Sequence, residues 1–329
     1  MATIKETNYL AITAMLAART SGMLSLERME RMIAAPSDDE AVKVLEECGY
    51  GDLSGLSLNE INAELEKHIA AIFDEVENMV PEKALVQMFR LKYDFHNIKT
   101  IIKSHGAEVD GSSLLSDRGN VDVAQLQEAF RSGEYAMIPT PLAEAMQEAS
   151  GTLSRTSNPQ LADFELDRAC FDEMKTIAAE LDNPFLAGYV KLLIDAANLK
   201  SAVRTARMRK SADFLSSVLI KGGADVDRIA AADGDGLAAI FAHGPLEKAA
   251  AAGAEAMSGG SMTAFELACD NAVNEYLKNV KLVSYGPEVV TAYLAAVENE
   301  TTAVRMILTG ALAGVPAATI KERLRDLYA

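Results

Sequence analysis

Apolar residues recur at helical spacing along almost the whole chain. From Ile61, they follow at steps of three and four residues with Glu, Lys and Asp between them, as Leu65, Ile69, Ile72, Phe73, Val76, Met79 and Val80. Such steps place one apolar stripe on an α-helix. After Pro81, a second stripe carries Leu85, Met88, Phe89, Phe95, Ile98 and Ile102. No strand-like alternation is convincing anywhere, so the pattern predicts an all-α protein.

Three prolines divide this helical pattern at equal distances. Pro81, Pro184 and Pro287 are separated by 103 and 103 residues, and each precedes a long apolar segment. Proline is tolerated in the first turn of a helix, because the amide there has no intrahelical partner. The spacing therefore predicts that each proline opens a long helix and that the chain repeats internally.

A polar motif recurs downstream of each proline. It consists of an acid, an asparagine three positions later, an aliphatic residue and a base. Its copies are Asp94, Asn97, Ile98 and Lys99; Asp195, Asn198, Leu199 and Lys200; and Glu300, Ala303, Val304 and Arg305, where alanine replaces asparagine. In the third copy, Glu298 competes with Glu300 for the acid position, and the repeat holds with either choice. Upstream, matching amphipathic segments open at Glu66, Asp167 and Asp270. We therefore predict three helical repeats, at about 1–106, 107–209 and 210–329, which can close around a pseudo-three-fold axis.

Two interpretations of the repeated acid and asparagine stand side by side. Residues at i and i+3 share a helix face, so the two side chains can act together. They can form polar helix contacts that fix the packing of each repeat, or ring a common partner. The packing interpretation is favoured, because a repeated buried pair serves each repeat's own fold first. The basic stripe of Lys200, Arg204 and Arg207 is explained either by the helix dipole or by an acidic partner element.

Composition and charge exclude several classes of function. The chain has 329 residues, 49% of them hydrophobic, and a formal net charge of −17. Nucleic acids and anionic lipids would be repelled, whereas a basic protein partner is compatible. Cys48, Cys170 and Cys269 are far apart in the sequence and form no CxxC pair. We expect small buried core residues in a reducing compartment.

No segment predicts a signal peptide or a membrane span. The residues from Met1 to Tyr9 contain no apolar signal-peptide core. The longest uncharged run, Met306 to Ile320, has 15 residues and is interrupted by glycine and proline. A membrane-spanning helix needs about 20 apolar residues.

Catalytic and metal-binding motifs are also absent from the sequence. There is no GxxxxGK[ST] phosphate loop, no GxSxG nucleophile elbow and no HExxH or ExxH spacing among the four histidines. We therefore predict no catalytic residue, cofactor or metal ligand. The residues Asp233 to Gly236 resemble a calcium loop only faintly and predict a surface turn. The acidic run Asp38 to Glu40 predicts the first turn of a helix.

All three motif-bearing segments, the third together with the C-terminal residues, resemble a known family. The chain is similar to the C subunits of the V/A-type ATPases in the segments Phe89–Lys103 and Asp195–Arg204, and in a third region that runs from Glu298 through Arg305 and ends with Ile320–Tyr328. The eukaryotic relative of that family is the d subunit of the vacuolar ATPase. Ala303 departs from the family pattern, which usually has asparagine there.

The resemblance implies a three-fold pseudo-symmetric helical funnel and a role as a non-catalytic part of the central rotor. One face would sit on the membrane proteolipid ring, and a socket would accept the central shaft subunits of D and F type. One copy per complex would couple ATP turnover to H⁺ or Na⁺ transport from the cytoplasmic side of the membrane. Two alternatives stay open: a soluble helical adaptor or scaffold unrelated to ATPases, and a helical enzyme with unrecognised carboxylate chemistry.

Overall fold

The computed structural model of the chain describes residues 6–328, and their regular secondary structure is entirely helical. The α-helices in this part of the chain are α1 Leu10–Thr20, α2 Leu26–Ile33, α3 Asp38–Glu46, α4 Leu58–Met79, α5 Ala84–Ala107, α6 Val123–Ser132, α7 Thr140–Thr156, α8 Pro159–Glu180, α9 Pro184–Arg207, α10 Ala212–Val218, α11 Val226–Ala231, α12 Gly234–Ile240, α13 Glu247–Met257, α14 Met262–Lys278, α15 Pro287–Leu312 and α16 Ala317–Lys321. Short 3₁₀ segments lie at Glu6–Tyr9, Ser112–Leu114, Tyr135–Met137 and Asn279–Leu282. No strand occurs between residues 6 and 328. The all-α prediction is confirmed, whereas the expectation about a signal peptide falls partly on residues 1–5, outside the described residues.

Local sequence signals fix the bounds of α4. Ser57 and Glu60 form a capping box, in which the Ser57 side chain accepts from the Glu60 amide and the Glu60 carboxylate accepts from the Ser57 amide at 2.8 Å. The predicted stripe from Ile61 through Phe73 and Val76 is buried. The helix ends at Met79 because Val80, which precedes proline, is extended.

The repeated prolines mark the starts of two long helices and approach the start of a third. Pro184 and Pro287 are the first residues of α9 and α15, as predicted. The prediction that Pro81 also opens a helix is wrong, since α5 begins three residues later, at Ala84. A turn at Lys83 intervenes, and its carbonyl accepts the amides of Val86 and Gln87, which begin the helical bonding.

The chain divides into two compact units. The first contains the described residues of Met1–Pro81, Asp195–Leu215 and Asp227–Ala329, and the second contains Glu82–Ile194 and Ser216–Val226. The three repeats predicted at 1–106, 107–209 and 210–329 stay a prediction, because a division into two units does not test an internal sequence period.

In the second unit, α5 packs against α6, α7 and α8. The apolar positions of α5 that the sequence pattern singles out, Phe95, Ile98 and Ile102, lie in one buried cluster with Met146 of α7 and Leu166 of α8. Cys170 belongs to the same cluster. Burial raises the pKa of its thiol to about 12, so this cysteine behaves as a small apolar residue, as expected.

In the first unit, α15 packs against α1, α2, α3 and α4. Ala303, Val304 and Ile307 of α15 lie in a buried cluster with Leu45 of α3 and Leu65 of α4. Most of the residues of α15 from Val290 to Leu308 are buried. A helix that is apolar on nearly all sides is expected in the centre of a helical unit.

Three minor predictions meet different outcomes. As predicted, Asp38 to Glu40 form the first turn of α3, directly after the N-cap Ser37. Asp233 is exposed, but the turn predicted there is wrong, because its carboxylate accepts the Gly236 amide at 2.8 Å and caps α12. The expectation that Cys48 is a buried core residue is also wrong, since it follows the end of α3 and is only half-buried.

Within residues 6–328, no helix has the length and apolar character needed to cross a membrane. The same residues contain no group of three or more His, Cys, Asp or Glu side chains arranged to hold a metal ion.

Candidate functional site

Asp94 and Asn97 of α5 bind the loop that leads into α6. Asp94 is completely buried, and its carboxylate accepts the Val121 backbone N–H at 3.0 Å and the Asn120 Nδ2 group at 2.8 Å. Asn97, one turn further along α5, donates to the Ser116 carbonyl and accepts from the Ser116 amide, both at 2.8 Å. Because buried polar groups need such partners, the two side chains fix this loop on α5.

The neighbours of the Asp94 carboxylate stabilise its charged form and so offset part of the cost of burying it. Burial raises the pKa of Asp94, and the hydrogen bonds from Val121 and Asn120 and the charge of Arg90 oppose that rise. The same Arg90 donates to the Arg118 carbonyl at 3.3 Å. The carboxylate therefore sits in a nearly closed polar environment made largely by a single loop.

Gly119 is the loop residue that permits this arrangement. A Cβ atom built at Gly119 would lie 2.3 Å from Asp94 Oδ1 and 3.4 Å from the Asp94 amide nitrogen. Only glycine allows the loop backbone to approach the carboxylate so closely. The sequence motif did not identify Gly119, which precedes the N-cap Asp122 of α6 by three residues.

Glu300 of α15 makes the same kind of contact in the first unit. Its carboxylate accepts the Leu24 backbone N–H at 2.6 Å and the Tyr50 hydroxyl at 2.8 Å. Leu24 immediately precedes Ser25, the N-cap of α2, just as Val121 immediately precedes the N-cap of α6. In both copies, a buried motif acid accepts the amide one residue before a helix N-cap.

The third copy of the motif differs from the first at its second polar position. Ala303 is buried in the apolar cluster of the first unit and cannot bond a loop as Asn97 does. Burial raises the pKa of Glu300, and the Leu24 amide and the Tyr50 hydroxyl oppose that rise. Burial and the Glu300 charge also raise the pKa of Tyr50. Tyr50 supplies the second donor here, as Asn120 does for Asp94.

The second copy of the motif lies on α9. Asp195 and Asn198 are both buried, in the same i, i+3 relation as the first copy. A glycine shortly before a helix recurs as well, at Gly22, Gly119 and Gly222, ahead of α2, α6 and α11. This glycine spacing is the signal that could have located the bound loops from the sequence.

The motif bases form ion pairs with the three upstream acids. Lys99 Nζ lies 2.5 Å from Asp167 Oδ1, and Lys200 Nζ lies 2.5 Å from Asp270 Oδ1. Arg305 pairs with Glu66. Each pair joins one predicted repeat to another, in the order first to second, second to third and third to first. The sequence pattern identifies all six residues, but it does not show which base pairs with which acid.

These three pairs have intermediate exposure. Their side chains are between 22% and 46% exposed, so water screens part of each attraction. Pairs of this kind contribute on the order of 0.5–1 kcal/mol. The three pairs therefore identify which helices lie next to each other, but they contribute little to the total free energy of unfolding.

The predicted basic stripe on α9 also finds its partners within the chain. Arg204 donates to Glu266 Oε1 of α14 at 2.7 Å, and Arg207 donates to the Ala256 carbonyl at the end of α13 at 3.0 Å. The acidic element that meets this stripe is thus α14 of the same molecule. A role towards a partner protein stays a prediction for all the motif residues: Asp94, Asn97, Lys99, Asp195, Asn198, Lys200, Glu300 and Arg305.

Comparison with known proteins places this all-helical chain in a family. The model of the ATP synthase (C/AC39) subunit family matches residues 12–323. The chain therefore belongs to that family.

Relatives similar in sequence come from bacteria and archaea. The C subunit of the V-type sodium ATPase of Enterococcus hirae is 22% identical over 97% of this chain and 99% of its own length. The C subunit of the V-type ATP synthase of Thermus thermophilus is 22% identical over 86% of this chain and 88% of its own. The C subunit of the A-type ATP synthase of Methanocaldococcus jannaschii is 23% identical over 97% of this chain and 86% of its own length.

Family membership bears on two predictions made from the sequence. The resemblance to the C subunits of the V/A-type ATPases is confirmed. Members of this family are structural rather than catalytic parts of their complexes, in agreement with the prediction that the chain is not an enzyme.

Replacing Gly119 by alanine is expected to destabilise the second unit by about 1–3 kcal/mol, because the added methyl group would overlap the Asp94 carboxylate. Urea unfolding followed by circular dichroism measures the change. The matched control is Gly51→Ala, where an added Cβ meets no atom within 4 Å and φ is not positive. Equal midpoints for the two variants would contradict the close approach.

A double-mutant cycle with Lys99→Met and Asp167→Asn is expected to give a coupling energy of about 0.5–1 kcal/mol that shrinks at high salt. The control cycle uses the exposed pair Lys43 and Glu40 of α3, for which we expect less than about 0.5 kcal/mol. A coupling energy between Lys99 and Asp167 no larger than that of the control would show that the pair is not formed in solution.

Glu300→Gln is expected to gain stability relative to the native chain as pH rises. Because the pKa of Glu300 is raised from its ordinary 4.5 in the folded state, the native fold binds this proton more tightly than the unfolded chain. Native stability from this group is therefore full below the ordinary pKa and declines through the raised one. Denaturant unfolding of both proteins at several pH values gives the difference. A relative loss for Glu300→Gln with rising pH would overturn the sign.

Proposed function

We propose that this protein is a non-catalytic part of the central rotor of a V/A-type ATPase or ATP synthase. In this role, it forms a socket that couples the central shaft subunits of D and F type to the membrane proteolipid ring. The complex would move H⁺ or Na⁺, with one copy of this chain lying peripherally on the cytoplasmic side of the membrane. Membership of the ATP synthase (C/AC39) subunit family supports the proposal.

The observation that carries the proposal is the order of the base–acid pairs. Lys99 with Asp167, Lys200 with Asp270, and Arg305 with Glu66 connect the predicted repeats one to two, two to three and three to one. A linear array of repeats has two ends and would lack the last of these pairs. The cyclic order is what three repeats closed as a funnel around a pseudo-three-fold axis require, and such a funnel has a central socket.

Transmission of torque needs a stiff body more than it needs a reactive group. Packed helices resist compression, and the buried acids Asp94 and Glu300 each add a charge-assisted contact between a long helix and the start of another. A loop held at a buried carboxylate cannot shift without leaving that charge unpaired, which is costly. These contacts therefore suit a protein that passes rotation between two partners.

The names of the relatives agree with such a role. They are subunits of V-type ATPases and of V-type and A-type ATP synthases. The alternative of a helical adaptor unrelated to ATPases conflicts with the family of this chain. The relative from Enterococcus hirae is named for a sodium ATPase, so both H⁺ and Na⁺ are kept in the proposal.

Affinity purification tests the proposal directly. The protein, tagged and expressed in its own cell, is purified from detergent-solubilised membranes and its companions are identified by mass spectrometry. We expect the proteolipid and both shaft subunits to be recovered with it. Recovery from membranes without any other part of an ATPase would refute the rotor role.

Charge-reversal variants test whether the Arg305–Glu66 pair, which joins the third predicted repeat to the first, is needed for assembly with the shaft subunits. Arg305→Glu alone is expected to reduce the recovery of shaft subunits, and Arg305→Glu with Glu66→Arg is expected to restore it. The control is reversal of the exposed Lys43–Glu40 pair, which should change nothing. Circular dichroism of each purified variant separates loss of binding from loss of fold.

A further inference from the structure

A cavity of about 390 Å³ lies in the first unit beside α14. Residues of α9, α14, α15 and the C-terminal segment line it. The charged lining residues are Lys200, Arg204, Glu266, Asp270, Arg323 and Arg325. Four bases and two acids leave an excess of two positive charges, in a chain whose formal net charge is −17.

The two carboxylates do not use up the hydrogen-bond donors of the bases. Asp270 accepts from Lys200 Nζ and from Arg325 Nε, both at 2.5 Å. Arg204 uses Nε and Nη2 on Glu266. A guanidinium carries five N–H groups, so the terminal nitrogens of Arg325 and the Nη1 of Arg204 have donors left over.

Arg323 stands apart from these pairs. Its side chain is exposed at the edge of the cavity, and it forms no ion pair with the part of the chain that the structure describes. Thr263, in the first turn of α14, adds a hydroxyl to the lining, and the apolar wall is formed by Leu267 and Met306. The positive end of the α14 dipole lies on the same side as Thr263 and strengthens the positive potential.

We propose that this cavity binds a phosphoryl oxyanion. A phosphate dianion matches the two excess positive charges, and arginine side chains bind phosphate oxygens through paired N–H groups. The volume exceeds that of one phosphate, so the same chemistry is offered by inorganic phosphate, pyrophosphate and the phosphate chain of a nucleotide. The site lies within one unit and does not depend on the proposed rotor role.

Isothermal titration calorimetry of the full-length chain at low, constant ionic strength tests this site. The probes are inorganic phosphate, pyrophosphate, ADP and potassium chloride. We expect saturable binding of at least one phosphorylated probe and none of chloride. Tighter binding of pyrophosphate than of ADP assigns the site to inorganic phosphates, and the reverse assigns it to nucleotides. Saturation by none of the phosphorylated probes would overturn the proposal.

Two variants connect binding to this cavity. Arg323→Gln removes a base that holds no ion pair in the described residues and is expected to weaken binding about ten-fold, the loss of one charge-assisted contact. Thr263→Glu introduces a negative charge into the lining and is expected to abolish binding. Both side chains are exposed, so the fold is retained.

The matched control is Ala264→Glu. Ala264 is exposed and adjacent to Thr263 but does not line the cavity, so the variant carries the same added charge on the same helix turn. It should weaken binding of the phosphorylated probe much less than Thr263→Glu does, because residue 264 does not line the cavity and its carboxylate does not occupy the space of the bound anion. Equal weakening by Ala264→Glu and Thr263→Glu, or native affinity in Arg323→Gln, would show that the probe binds elsewhere.

Discussion

The structure depends on a buried carboxylate that accepts the backbone amide just before a helix begins. Asp94 holds Val121 in this way, and Glu300 holds Leu24. A buried charge without partners would be severely destabilising, so the loop and the carboxylate stabilise each other or neither is stable. The requirement also explains why glycine stands at position 119, where any side chain would displace the acid. One interaction thus sets the loop, its glycine and the start of the next helix.

The base–acid pairs add an order to these contacts. In the first and third copies of the motif, the helix uses its acid to hold a loop and, further along, its base to meet a neighbouring helix. The two kinds of contact differ in burial. The loop-binding acids Asp94 and Glu300 are buried, whereas the ion pairs between helices are partly exposed. The buried acids therefore specify geometry, and the partly exposed pairs specify which helices meet.

Much of this could be predicted from the sequence, because helical periodicity and proline spacing are local signals. The buried face of α4 and the starts of α9 and α15 follow from them. Pairing could not be predicted, since a sequence period shows that the three upstream acids are equivalent without showing which base each meets. The predictions for Pro81 and Asp233 failed because the local signal at each position is compatible with two different structures. A proline is tolerated before a helix as well as in its first turn, and an aspartate before glycine can cap a helix as readily as make a turn.

Asp270 binds two bases, Lys200 from α9 and Arg325 from the C-terminal segment. Arg325 of the C-terminal segment is thus joined to the same carboxylate that connects the second predicted repeat to the third. The backbone of Asp326 reinforces this connection through Asn271 and Asn274. A substitution at Arg325 would therefore loosen the C-terminal segment and, at the same time, remove one of the two positive partners of the carboxylate at that junction.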